Sequence, residues 1–209
     1  EALVNFLAFL GWNPGDEREL FTLEELEEAF SLERVGSSGV QFDLDKLDWY
    51  NENYIREMSA EELREKAAPA LREHGYDADP SYVTEVVELM QDRIGFAHEI
   101  ATEGAFFFEA PSEYDPDGVE KRWKDESPDL VRAYADRLED EEPETADEME
   151  QILRDLADEL DVGAGAIIHP TRLSVSGRHY GPSLFHLMEV LGADTCVTRM
   201  RKALDELGG

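Results

Sequence analysis

The sequence predicts an all-α protein, a multi-helix bundle or cage of nine to eleven helices. Three observations carry this. Hydroxyl N-caps with Glu three residues on recur along the chain (Thr22 with Glu25, Ser59 with Glu62, Thr145 with Glu148), the signature of a capping box. Apolar residues recur at helical spacing. Alternating polar and β-branched runs are nearly absent; the one strand candidate, Arg172 to Val175, is too short to found a sheet.

The elements follow in order. The chain opens at Glu1 in mid-pattern with an apolar helix and reads as a piece of a longer protein. In residues 1–58, turn clusters Asn13-Pro14-Gly15 and Gly36-Ser37-Ser38-Gly39 separate short helices. Residues 59–110 hold two or three longer amphipathic helices, one starting at the N-cap Asp79 with Pro80 at the first helical position. Val83, Val86, Val87 and Met90 form its apolar face, and the unit ends at Phe106-Phe107-Phe108. A linker is expected from Ala110-Pro111 to Asp117-Gly118, where a last unit of residues 111–209 begins. There Ile152, Leu153, Leu156 and Leu160 mark another helix face, and the acidic run Glu139 to Glu144 reads as a solvated loop.

The chain has 209 residues, with 50 Asp plus Glu against 19 Lys plus Arg, a formal net charge of −31. Such a charge repels nucleic acid at long range and excludes a generic basic-patch binder, though not a site built from a few placed arginines. Only five cations are lysines, Lys46, Lys66, Lys121, Lys124 and Lys202; the rest are arginines. An acidic, lysine-poor surface fits either a salt-rich cytoplasm, where screening shortens repulsion, or an ordinary acidic protein. The single cysteine, Cys196, excludes an intrachain disulfide and is expected in the interior. No apolar run suits a membrane span and no signal peptide is visible, so a cytoplasmic chain is expected.

Familiar catalytic motifs are missing. No lysine follows a glycine, so there is no phosphate loop, and Gly163-Ala164-Gly165 lacks the third glycine of a dinucleotide fingerprint. Neither a Cys-x-x-Cys zinc site nor a Glu-x-x-His di-iron motif occurs. The five histidines (His74, His98, His169, His179, His186) read as surface or capping residues. Arginine placement is more informative. Arg93 ends the helix carrying Val86, Val87 and Met90; Arg154 follows Ile152-Leu153; Arg172 precedes the turn Ser176-Gly177 and Gly181-Pro182. Each either pairs with a local carboxylate or presents its planar donor fork to a base or phosphate.

A resemblance bears on that choice. Residues Glu1 to Trp12 are similar to the segment following the lysine-rich signature loop of bacterial glutamyl-tRNA synthetases. Phe42-Asp43-Leu44-Asp45-Lys46-Leu47-Asp48-Trp49, with Asn51 and Tyr54-Ile55-Arg56, resembles that family's Phe-Asp-x-x-Lys-Leu-x-Trp-x-Asn-x-x-Tyr-Ile-Arg pattern. Glu88 to Arg93, Pro170 to Gly177, and Gly181-Pro182-Ser183-Leu184-Phe185 with Leu191-Gly192 fit it too. The likeness is collinear over essentially the whole chain, with residues 110–150 matching only in helical pattern.

The resemblance implies the C-terminal part of a class I glutamate–tRNA ligase. Residues 1–58 would be the end of a stem-contact region, and 59–110 and 111–209 two anticodon-binding subdomains. It implies no cofactor in this stretch; ATP and Mg would belong to a catalytic domain upstream, without which the fragment is inactive. Arg93 would read the third anticodon base, with Arg154, Arg172, Gly181, Pro182 and Leu184 around the others and Lys46 on the stem. Where the family often has Thr, this chain has Gly181, which removes a hydroxyl contact. The implied partner is glutamate tRNA, with no DNA or membrane and a monomeric chain. The rival reading is a free-standing acidic helical interaction module whose arginines are structural ion pairs.

Overall fold

The computed structural model describes residues 1–36 and 42–208, so Ser37, Ser38 and Gly39 of the second turn cluster lie outside the described residues. The helices are α1 (Ala2–Phe9), α2 (Leu23–Ala29), α3 (Leu44–Glu57), α4 (Ala60–Glu73), α5 (Pro80–Met90) and α6 (Ala105–Phe108). They continue as α7 (Pro116–Arg122), α8 (Ser127–Glu141), α9 (Ala146–Glu159), α10 (Ala164–Ser176), α11 (Leu184–Leu191) and α12 (Ala193–Leu207). Three 3-10 turns, Leu32–Arg34, Gln91–Arg93 and Ala97–Ala101, complete them. Among the described residues twelve α-helices thus replace the expected nine to eleven, because α6 and α7 are too short to show a period. Extended pairing among the described residues is limited to one antiparallel bridge, Trp12 to Val35.

The sequence dictates the helix starts. Thr22, Ser59 and Thr145 each accept from the backbone N–H three residues on, and the Glu there accepts the cap's own N–H. Asp79 caps α5 with Pro80 behind it. Each cap contributes about 1 kcal/mol by satisfying otherwise orphaned donors.

Three local expectations are corrected. The acidic run is not all loop: α8 continues through Glu141, and Glu142 ends it in the left-handed region at φ 47°. Arg137 holds Glu141 at 3.2 Å and Arg201 pairs with Glu139, which extends the helix. The linker contains a helix start, since Asp115 caps α7 at Pro116. The strand candidate Arg172 to Val175 lies within α10, despite Pro170 inside that helix. Ser174 and Ser176 hydroxyls donate to the Pro170 and Arg172 carbonyls, each at 2.8 Å.

One hydrophobic core runs from Ile55 to Met200, including the two sides of residue 110. Separate small clusters (Ala2, Phe6 and Tyr50; Trp12, Phe21 and Leu26) serve the N-terminal stretch. Cys196 is fully buried, and burial pushes its thiol up to about 12. Buried Asn5 ties the N-terminal stretch together, donating to the Glu19 carbonyl at 2.8 Å and accepting from the Phe21 N–H at 2.8 Å.

Candidate nucleic-acid interface

The site begins at the end of α5. The helix tightens there into the 3-10 turn Gln91–Arg93, and the Gln91 amide fixes that turn. Its Nε2 donates to the carbonyls of Ile55 and Met58, each at 2.7 Å. Those carbonyls lie at the end of α3, where a helix leaves acceptors unsatisfied. Arg93, two residues on, is exposed and has no ion pair or hydrogen bond among the described residues.

Arg172 comes from α10 and is largely withdrawn from water. Its Nη1 is buried with no hydrogen-bond partner. Burial holds the guanidinium below its ordinary range, and the charge of Arg93 adds to that. A chain with 50 carboxylates therefore keeps two arginines close enough to repel, and neither makes an ion pair among the described residues. Desolvating an unpaired cation costs several kcal/mol in principle, and Arg172 lacks the two carbonyl acceptors that offset this cost at Arg199.

The turn after α10 makes room for Arg172. Gly177 ends the helix at φ 73°, where a side chain would collide with the Glu113 carbonyl at 2.7 Å. Gly181 takes φ 149°, and a Cβ there would stand 3.3 Å from Arg172 Nη1. The bare Gly181 leaves that guanidinium uncrowded. Pro182 and Leu184 are buried and anchor the turn to α11. A cavity of about 250 Å³ opens beside it, lined by Arg93, Glu103, Phe106, Arg178, Tyr180 and Gly181, with Met90 and Asp92.

The structure thus brings Arg93, Arg172 and Gly181 together, with Pro182 and Leu184 as supports. Arg154 does not line this cavity: it is exposed on α9, with Nε donating to Glu150 at 2.8 Å. Lys46 belongs to the N-terminal stretch. It pairs with Glu19 at 2.5 Å and sits over the Trp49 ring at 4.1 Å.

Arg178 and Tyr180 are among the lining residues that sequence reasoning missed. Arg178 pairs with Glu103 and donates to the Thr102 carbonyl at 3.1 Å, latching the turn to the segment before α6. Tyr180 is 56% exposed, an aromatic platform at the rim. An exposed aromatic next to Gly181-Pro182 was the available signal for it. A larger hollow of about 630 Å³ between α1 and α2 is lined by apolar groups such as Leu7, Trp12 and Phe30 and holds no cation. Among the described residues no group of three or more His, Cys, Asp or Glu is placed to hold a metal. No described helix is long and apolar enough to cross a membrane.

Known proteins share this architecture. The glutamate–tRNA ligase of Chlorobaculum parvum is 38% identical over 219 residues, covering 99% of this chain and 44% of the ligase. That of Chlorobium chlorochromatii is 39% identical, covering 98% and 43%. The chain thus spans less than half the length of these relatives. A crystal structure of a glutamate tRNA ligase from Elizabethkingia meningosepticum, in complex with its amino acid, superposes with a TM-score of 0.93 at 29% identity. It is covered over 41% of its length by 99% of this chain. A family model, the anticodon binding domain, matches residues 60–204. With that match spanning most of its length, the chain belongs to the anticodon binding domain family.

Proposed function

We propose that this chain is the tRNA-reading part of a glutamate–tRNA ligase, directing glutamate tRNA to a catalytic domain outside this sequence. Residues 1–58 serve the stem, and 59–110 and 111–209 serve the anticodon. Because one core spans residues 55 to 200, the two anticodon units act as one rigid reader. ATP and Mg belong to the catalytic part, and the reader works in the cytoplasm as a monomer. The observation that carries this reading is the pair Arg93 and Arg172, uncompensated beside a cavity in a strongly acidic chain.

The chemistry follows from donor and acceptor patterns. An unpaired anticodon loop exposes Watson–Crick edges, which proteins read by hydrogen bonds and stacking. Arginine offers donors only, matching the O2 and N3 acceptors of cytosine. Guanine presents N1–H and N2–H on that edge and is rejected. Arg93 therefore selects C as the third anticodon base, and Arg172, already desolvated, donates to another base. Tyr180 offers a ring for stacking. Arg154 changes partners cheaply, because an exposed i,i+4 pair such as Arg154–Glu150 is worth about 0.3–0.5 kcal/mol. The rival interaction module needs these arginines as ion pairs, a role that Arg154 fills and Arg93 and Arg172 do not.

Salt separates the readings. Few cations are free, so binding rests on about two to four phosphate contacts, each adding about 0.7–0.9 to the slope of log affinity against log salt. Filter binding of the chain to glutamate tRNA across KCl concentrations is expected to give a slope of about 1.4 to 3.6. A slope of eight or more requires a broad basic surface and contradicts the account; no binding at any salt favours the interaction module.

A further inference from the structure

Two segments hold three basic residues within four positions, Lys121-Arg122-Trp123-Lys124 and Arg199-Met200-Arg201-Lys202. The fold engages all three cations of the second, although Arg199 Nε is buried without a partner. Arg199 donates to buried carbonyls, Arg201 pairs with Asp136 and Glu139, and Lys202 donates to the Pro111 carbonyl at 2.5 Å. The first is only partly used. Lys121 pairs with Asp117 at 2.9 Å, and Lys124 Nζ donates to the Glu120 carbonyl at 2.8 Å. The guanidinium of Arg122 is exposed and has no ion pair or hydrogen bond among the described residues. It does so among Asp117, Glu120, Asp125 and Glu126, where partners abound.

The segment is also held in place. Half-buried Trp123 packs on the main core. Helix α7 is pressed onto α10: a Cβ at Gly118 would stand 3.0 Å from the His179 Cβ and 3.1 Å from Leu173 Cδ1. The Asp115 N–H donates to the Gly177 carbonyl at 2.8 Å, and Asp115 pairs with His179. Arg122 is thereby carried toward His169 and Arg172 on α10. After burial, the charges of Arg122 and Arg172 are what holds the His169 imidazole below its usual range. Arg122 on α7, His169 and Arg172 on α10, and Arg93 thus follow one another, none of them in an ion pair among the described residues.

We infer that Arg122, with Lys124 beside it, is a second RNA contact that grips the sugar–phosphate backbone flanking the bases read at Arg93 and Arg172. Bases carry the sequence information; phosphate contacts position the strand and carry none. This inference rests on the reading under Proposed function.

The test is filter binding of the chain to glutamate tRNA across KCl, with a second tRNA carrying G as the third anticodon base. Arg122→Ala is expected to weaken both tRNAs equally, by about threefold to tenfold, and to lower the salt slope by about 0.7–0.9. Arg122→Lys retains most of the affinity, since a phosphate accepts a point charge. Arg72→Ala, which removes an exposed charge from α4, leaves affinity and slope unchanged and controls for net charge. Wild-type affinity and slope for Arg122→Ala, or an equal loss from Arg72→Ala, overturn the inference while tRNA binding itself stands. A wild-type chain that binds neither tRNA overturns the functional reading and this inference together.

Discussion

Replacing Arg172 by Met is expected to weaken binding of glutamate tRNA by about tenfold or more and to raise the chain's own unfolding temperature. The two effects have one cause. Arg172 lies largely out of water with Nη1 unpartnered, beside the like charge of Arg93. Replacing buried ionic groups by apolar ones of similar volume is often neutral or stabilising by about 1–4 kcal/mol. The lower half of that range suits a side chain that is not fully buried. For a chain of 209 residues, 1–2 kcal/mol moves the midpoint by roughly 2–8 °C. A lost base contact costs about 1–3 kcal/mol of binding. Thermal melts of the free chain and tRNA titrations below the transition measure both. If Arg172 were a structural ion-pair residue, the melt would fall and binding would hold.

The other buried arginine behaves oppositely. Arg199 is 5% exposed, and its Nη1 donates to the Phe106 carbonyl at 2.5 Å and the Val175 carbonyl at 3.0 Å. It joins α12 to α6 and to the last turn of α10. Arg199→Met keeps the bulk but strands two buried acceptors, each costing about 1–3 kcal/mol. The expected loss is about 2–4 kcal/mol, lowering the melting midpoint by roughly 5–15 °C. Since Arg199 touches no base, tRNA affinity measured well below the melt should stay within about twofold of wild type. An unchanged melting temperature means those two hydrogen bonds contribute nothing.

These two arginines also show what was legible in the sequence. Capping boxes are local, so Thr22, Ser59 and Thr145 announced their helices through a residue three positions away. The pair Arg154–Glu150 is local in the same way, at i,i+4. Arg178 meets Glu103 across 75 positions, and no spacing rule reaches that far. The family resemblance pointed to Arg93, Arg172 and Gly181. Only packing shows why they belong together: Gly181 lacks the Cβ that would crowd Arg172. Arg172 to Val175 alternates polar and apolar like a strand, but packing keeps it helical within α10 in spite of Pro170. Arg122 was overlooked because its neighbours are acidic, and its lack of a partner is visible only in three dimensions.

The central claim is that an uncompensated arginine reads the third anticodon base, and one competition measures it. The wild-type chain is titrated with glutamate tRNA and with the same tRNA carrying G at that position; Arg93→Gln is then titrated with both. The account expects the wild type to prefer C by roughly tenfold to a hundredfold, and Arg93→Gln to weaken C binding and lose most of the preference. Equal affinity of the wild type for both tRNAs, or an undiminished preference in Arg93→Gln, would contradict it.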